Sequence, residues 1–174
     1  MTMAAARRDE DRDGAAGWLR VLIVDDAPAI RARLRAMAAD VAGVVVVGEA
    51  GTVAEAVAAV VANGPDVVIL DLRMPDGTGL DVLRTPELLR RRPRVIVLTN
   101  DASPLVRREC LAAGAEWCFD KSTEFDRVPE VLAAAAATPR GARRRRRGNP
   151  GLAHEPCRAG GNVVRRTEWV GRER

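Results

Sequence analysis

Five side chains hold most of the chemistry this sequence can do. Asp25 and Asp26 close the aliphatic run LRVLIVDD (19–26), and Asp71 falls at the end of PDVVILDL (65–72). Thr99 ends the run RVIVLT, and Lys121 ends EWCFDK (116–121). Three carboxylates brought within a few ångströms repel one another and invite a hard cation; an all-oxygen set with open positions suits Mg²⁺. The Thr99 hydroxyl and the Lys121 ammonium add donors suited to a phosphoryl group. Lys121 is the only lysine in a chain with 27 arginines. So strong a bias toward arginine implies that position 121 needs a compact point charge and not a planar fork.

These residues can act together only if the chain folds their run ends onto one rim. The runs at 19–26, 44–50, 65–72, 94–101 and 116–121 are aliphatic and rich in β-branched residues. Each is followed by a stretch with helical spacing. Pro28 suits a first helical turn before Ile30, Leu34, Met37, Ala38 and Val41. Thr52 can cap VAEAVAAVVAN, and Gly64 fits just past its end. A third helix is expected from about Leu80 to Arg91, a fourth over 103–114 and a fifth from about Asp126 to Ala137. Strand then helix, five times, with fully apolar strands, predicts an α/β fold: a doubly wound, five-stranded parallel sheet covered on both faces. Ligands of such sheets bind outside the carboxyl ends of the strands, where Asp25, Asp26, Asp71, Thr99 and Lys121 would meet.

Composition narrows the alternatives. The chain has 174 residues, 47% hydrophobic and 30% charged, enough for one domain with tails. No run approaches the roughly 18 apolar residues of a membrane span. The start, MTMAAARRDEDRDG, follows its basic residues with acids instead of an apolar segment, so no secretory leader is expected and the cytoplasm is the expected compartment. Cys110, Cys118 and Cys157 are odd in number and lack CxxC spacing, which argues against a disulfide framework or a zinc cluster. Gly77 and Gly79 read as turn glycines, since no phosphate-binding GxGxxG or GxxxxGK[ST] is present. Charge is split along the chain. Residues 1–138 carry 17 basic against 21 acidic side chains, whereas 139–174 carry 11 arginines against 3 glutamates. The reading is a disordered leader over 1–17, a folded domain over 18–138 and an Arg/Gly-rich disordered tail over 139–174. The run Arg143–Arg147 could hold nucleic acid weakly through phosphates, and the competing reading is a solvated tail.

The stretches VLIVDDAP, VVILDLRMPDGTGLDVL, VIVLTND and AGAEWCFDK, covering about residues 19–137, resemble the receiver domain of two-component response regulators. The resemblance implies a flavodoxin-like (βα)5 fold and a phosphoacceptor, Asp71, that takes a phosphoryl group from a sensor histidine kinase or phosphotransfer protein. It implies Mg²⁺ held by Asp25, Asp26, Asp71 and the carbonyl of Arg73, with Thr99 and Lys121 on the phosphoryl oxygens. It also implies a switched protein-binding face around the fourth helix, fifth strand and fifth helix, read by an unknown downstream protein. Departures from the family pattern fall at Ser122, where proline is usual; at Cys118, the usual place of the switch aromatic; and at Asn100, usually a small residue. A trans bond is expected before Ser122. Arg73 and Asp101 are expected to pair across the mouth of the site. The function expected is a stand-alone phosphorylation switch in a phosphorelay, not a turnover enzyme. The competitors are a nucleic-acid-binding regulator working through its tail and a Mg²⁺-dependent phosphatase; Arg73 stands where the latter would need its second acid.

Overall fold

The computed structural model describes residues 17–138. The expected leader, apart from Gly17, and the whole of the expected tail, with Arg143–Arg147 and Cys157, lie outside the described residues.

The strands are β1 (Leu19–Val24), β2 (Val44–Ala50), β3 (Val67–Leu70), β4 (Arg94–Thr99) and β5 (Trp117–Asp120). All pair in parallel, in the order β2-β1-β3-β4-β5. The winding reverses between β1 and β3, so the crevice of the fold opens at the carboxyl ends of those two strands. The strands are apolar throughout because both sheet faces are covered. On one face Val21, Ile23, Ile69, Ile96 and Leu98 pack under α1 (Pro28–Ala39) and α6 (Arg127–Ala136). On the other face Leu22, Val24, Val68, Leu70 and Val97 pack under α2 (Val53–Asn63), α3 (Gly79–Arg84), α4 (Pro86–Arg91) and α5 (Pro104–Ala113).

The caps expected at Thr52 and Gly64 are present, and α5 is capped in the same way. The Thr52 hydroxyl accepts the Glu55 N–H at 3.1 Å, and Gly64 ends α2 in the left-handed region at φ 52°. Ser103 accepts the Val106 N–H at 3.4 Å, and Gly114 ends α5 at φ 111°. The single helix expected over Leu80–Arg91 is two helices. Thr85 sits before a proline and takes an extended conformation (φ −67°, ψ 143°), because the ring of Pro86 disfavours helical geometry in the preceding residue. Thr85 then caps the second piece by accepting the Leu88 N–H.

Between β3 and α3 the chain forms a small antiparallel hairpin pairing Arg73–Met74 with Gly77–Thr78. Two ties fix it. The Gly79 N–H donates to the Leu72 carbonyl at 3.0 Å, and the Asp76 carboxylate accepts the Val53 and Ala54 N–H groups at 2.7 and 3.1 Å. The hairpin is thereby fastened to the N-terminus of α2, where unpaired amides and the helix dipole favour a carboxylate.

Candidate functional site

The last ladder bonds of the sheet place the acids. Asp25 donates its N–H to the Ala50 carbonyl at 3.0 Å, and Asp71 donates its own to Val24 at 2.8 Å. Both side chains turn into the crevice, and only 1% of Asp25 and 4% of Asp71 stays exposed. Each carboxylate is held in the same way. One oxygen accepts a nearby backbone N–H: Ala27 to Asp25 at 3.0 Å and Leu72 to Asp71 at 2.7 Å. The other oxygen faces Lys121, whose Nζ lies 2.6 Å from Asp25 Oδ2 and 2.7 Å from Asp71 Oδ2. The turn that Asp25 makes onto Ala27 also leads into α1, so one residue both forms the turn and contributes a carboxylate to the site.

Asp26 is exposed, yet it offers an oxygen to the same point: ligand atoms from Asp25, Asp26 and Asp71 lie within 4.8 Å of one another. Three carboxylates against one ammonium leave a charge deficit. Burial pushes the Asp25 carboxyl above the ordinary range, although its hydrogen bond to Lys121 opposes the shift. Burial alone would lower the Lys121 ammonium, but its two carboxylate partners outweigh it and hold the group above its usual value. An oxygen-only cluster with surplus negative charge fits a hard divalent cation.

Thr99 ends β4 fully buried, with its hydroxyl accepting the Asp101 N–H at 3.2 Å. The Lys121 N–H donates to the Thr99 carbonyl at 2.8 Å, so the two residues are adjacent at the rim. Arg73 opens the hairpin two residues past Asp71 with an exposed side chain, and Asn100 is exposed beyond Thr99. Among the described residues Arg73 and Asp101 form no ion pair. The Asp101 carboxylate instead accepts the Ser103 N–H at 3.2 Å, a local turn bond that needs no long side chain ordered against it. The Lys121–Ser122 bond is trans. Cys118 is buried in the helix-covered core beside Cys110, a packing residue with no aromatic ring to rotate.

Four supporting residues escaped the sequence reading. Arg31 donates to the carbonyls of Asp25 and Asp26 at 2.7 and 3.2 Å. Asp76 ties the hairpin to α2. Arg107 and Glu124 form an ion pair at 2.5 Å beside the Lys121 turn. Their types and positions carry no periodic signal, because each works through backbone groups that only the fold brings near. Gly79 was read as a turn residue. The structure gives it a stricter role: a Cβ there would lie 2.3 Å from the Asp71 carbonyl oxygen.

Comparison with known proteins agrees with this geometry. Residues 21–133 match the response regulator receiver domain family, and the chain belongs to it. Over 99 residues it is 41% identical to the DNA-binding transcriptional activator DevR/DosR of Mycobacterium tuberculosis, covering 56% of this chain and 45% of that protein. It is 35% identical over 158 residues to a protein-glutamate methylesterase/protein-glutamine glutaminase of Agrobacterium fabrum, covering 83% of this chain and 44% of the relative. Among solved structures, the response regulator domain of Thermotoga maritima CheB superposes with a TM-score of 0.60 at 27% identity, over 73% of this chain and 97% of that one. The receiver domain of NarL from Mycobacterium tuberculosis gives 0.63 at 28%, over 68% and 96%. The chain thus spans about half the length of these two curated relatives. Their names carry different activities, so membership fixes the receiver class of this chain and not its output. Among the described residues no helix is long and apolar enough to cross a membrane.

Proposed function

We propose that this chain is a cytoplasmic phosphorylation switch in which Asp71 is the phosphoacceptor. The observation carrying this reading is the shared ammonium: Lys121 bridges Asp25 and Asp71 at 2.6 and 2.7 Å inside the crevice. The donor is a phosphohistidine on a sensor kinase or phosphotransfer protein. The Asp71 carboxylate attacks phosphorus, the P–N bond breaks, and an acyl phosphate forms while the histidine leaves with its nitrogen electron pair. Asp25, Asp26, Asp71 and the Arg73 carbonyl would hold Mg²⁺, which neutralises charge gathering on the phosphoryl oxygens. Lys121, one of whose present partners is the nucleophile, would follow the new charge onto a phosphoryl oxygen, and the buried Thr99 hydroxyl would supply a second donor. Asn100 stands exposed at the entrance. Replacing a carboxylate by an acyl phosphate changes what Lys121 and Thr99 bind, and that difference biases the face formed by α5, β5 and α6 toward a downstream protein. The reading makes the chain a single-turnover acceptor and not a turnover enzyme.

Intact mass after incubation with acetyl phosphate and Mg²⁺ tests the reading. Wild type should gain one phosphoryl group, and the gain should vanish in Asp71→Asn or when the metal is chelated. A folded wild type that gains nothing, or an Asp71→Asn variant that gains as much, overturns it.

A further inference from the structure

The two groups proposed to donate hydrogen bonds to the phosphoryl oxygens, Thr99 and Lys121, stand at the ends of neighbouring strands, and the loops that follow them are bound by one side chain. Arg107, in the first turn of α5, reaches across to β5. Its Nε donates to the Ala102 carbonyl at 2.8 Å, in the loop after Thr99. One terminal nitrogen donates to the Cys118 carbonyl on β5, and the other meets Glu124 at 2.5 Å, in the turn after Lys121. Glu124 is itself a junction. It accepts the Asp120 N–H at 3.0 Å and Arg127 Nη1 at 3.1 Å. The pair is sheltered, with Arg107 19% and Glu124 16% exposed, and the Glu124 carboxyl is held below its usual range: burial opposes this, but Arg107 and the Asp120 amide outweigh it.

β5 is an edge strand, so the outward carbonyl of Cys118 has no strand to pair with. A planar guanidinium is suited to serve three acceptors on three segments at once; an ammonium, a point charge on a flexible stem, is not. The position at which the family usually carries a switch aromatic is here a buried cysteine. What ties the two loops together here is the Arg107 guanidinium, by a hydrogen bond to the Ala102 carbonyl on one side and an ion pair with Glu124 on the other.

We propose that Arg107, with Glu124, is a positioning residue that locks the Thr99 loop to the Lys121 turn, so that both donors shift as one body when the site is filled. The coupling to filling rests on the phosphoacceptor reading; the lock itself does not. In the resting protein the clasp holds segments 100–103 and 119–124 in a single cooperative unit. When a phosphoryl group draws the Thr99 hydroxyl and the Lys121 ammonium, displacement of one loop is carried to the other through Arg107.

Hydrogen exchange read by mass spectrometry on the full chain tests this with Arg107→Gln, Arg107→Lys and Glu124→Gln. Without any phosphodonor, both Gln variants should raise exchange in 100–103 and in 119–124 together, by roughly tenfold, the size expected when a sheltered charged hydrogen bond is lost. Arg107→Lys should recover less than half of that protection. A rise confined to one of the two segments in either Gln variant overturns the lock. With beryllofluoride and Mg²⁺ added, wild type should change in both segments, whereas Glu124→Gln should change in 100–103 alone while still gaining mass from acetyl phosphate. A concerted response in Glu124→Gln refutes the coupling. If wild type gains no phosphoryl mass, the phosphoacceptor reading fails, and the exchange data without phosphodonor still decide the lock.

Discussion

Replacing Lys121 by Met removes the cation from the crevice and keeps an unbranched stem. The ammonium is 8% exposed and lies 2.6 and 2.7 Å from carboxylates that are themselves 2% and 5% exposed. Breaking a buried ion pair from one side typically costs about 3–5 kcal/mol, because the surviving charge stays dry and unpaired. Here two carboxylates survive, facing each other. The loss is a large share of the roughly 5–15 kcal/mol that holds a small domain together. With an m-value of about 1–3 kcal/mol per molar urea, the unfolding midpoint in chelator near neutral pH should fall by about 2 M. The pH dependence fixes the sign. Asp25 already has its carboxyl raised by burial, and loss of Lys121 raises it further. A carboxyl whose folded value lies above its unfolded value supports the fold at low pH and costs stability as pH rises through the folded value. The deficit of Lys121→Met should therefore be largest at neutral pH and shrink as pH falls toward the ordinary carboxylate range near about 4. Mg²⁺ should stabilise the variant more than wild type, since the cation then faces three uncompensated oxygens. An unchanged midpoint at neutral pH, or a deficit that grows on acidification, would refute the electrostatic account of the site.

Two further substitutions probe how the backbone presents Asp71. Gly79→Ala should destabilise the domain by about 1–3 kcal/mol and slow phosphoryl uptake by Asp71, because its Cβ meets the Asp71 carbonyl at 2.3 Å and the backbone must move; thermal melting and the mass assay read the two effects. Asp76→Ala should expose two α2 amides, lower the melting temperature by roughly 4 °C and raise exchange in both the hairpin and the first turn of α2. An effect confined to the hairpin would show that the tie to α2 carries no load.

The strands were legible because a parallel sheet covered on both faces writes itself as uninterrupted aliphatic runs, and the rim acids, Thr99 and Lys121 punctuate those runs or follow them directly. The break at Thr85–Pro86 is legible in the sequence, since a proline disfavours helical geometry in the residue before it. The Arg73–Asp101 pairing failed for a different reason. Proximity in the chain to two neighbouring strand ends does not set side-chain direction, and a local turn bond to Ser103 claimed the carboxylate first. Arg107 was the least legible of the supporting groups. Among 27 arginines nothing marks the one that reaches two backbone carbonyls and a carboxylate on three segments, because what distinguishes it is the set of acceptors that the fold gathers around it.

The solitary lysine also gives the crevice an unusual enzymatic address. A lysine-specific endoprotease has one bond to cut in the chain, Lys121–Ser122, dividing its 174 residues into pieces of 121 and 53. In the native fold that side chain is sheltered and bound to two acids, and the turn behind it is pinned by Glu124. Cleavage must therefore wait for this corner to open. Where opening and reclosing are fast relative to cutting, the rate of appearance of the two fragments measures the free energy of that local opening. A metal, a phosphoryl group or a partner that closes the crevice would register as protection of a single peptide bond, read on a gel without any label.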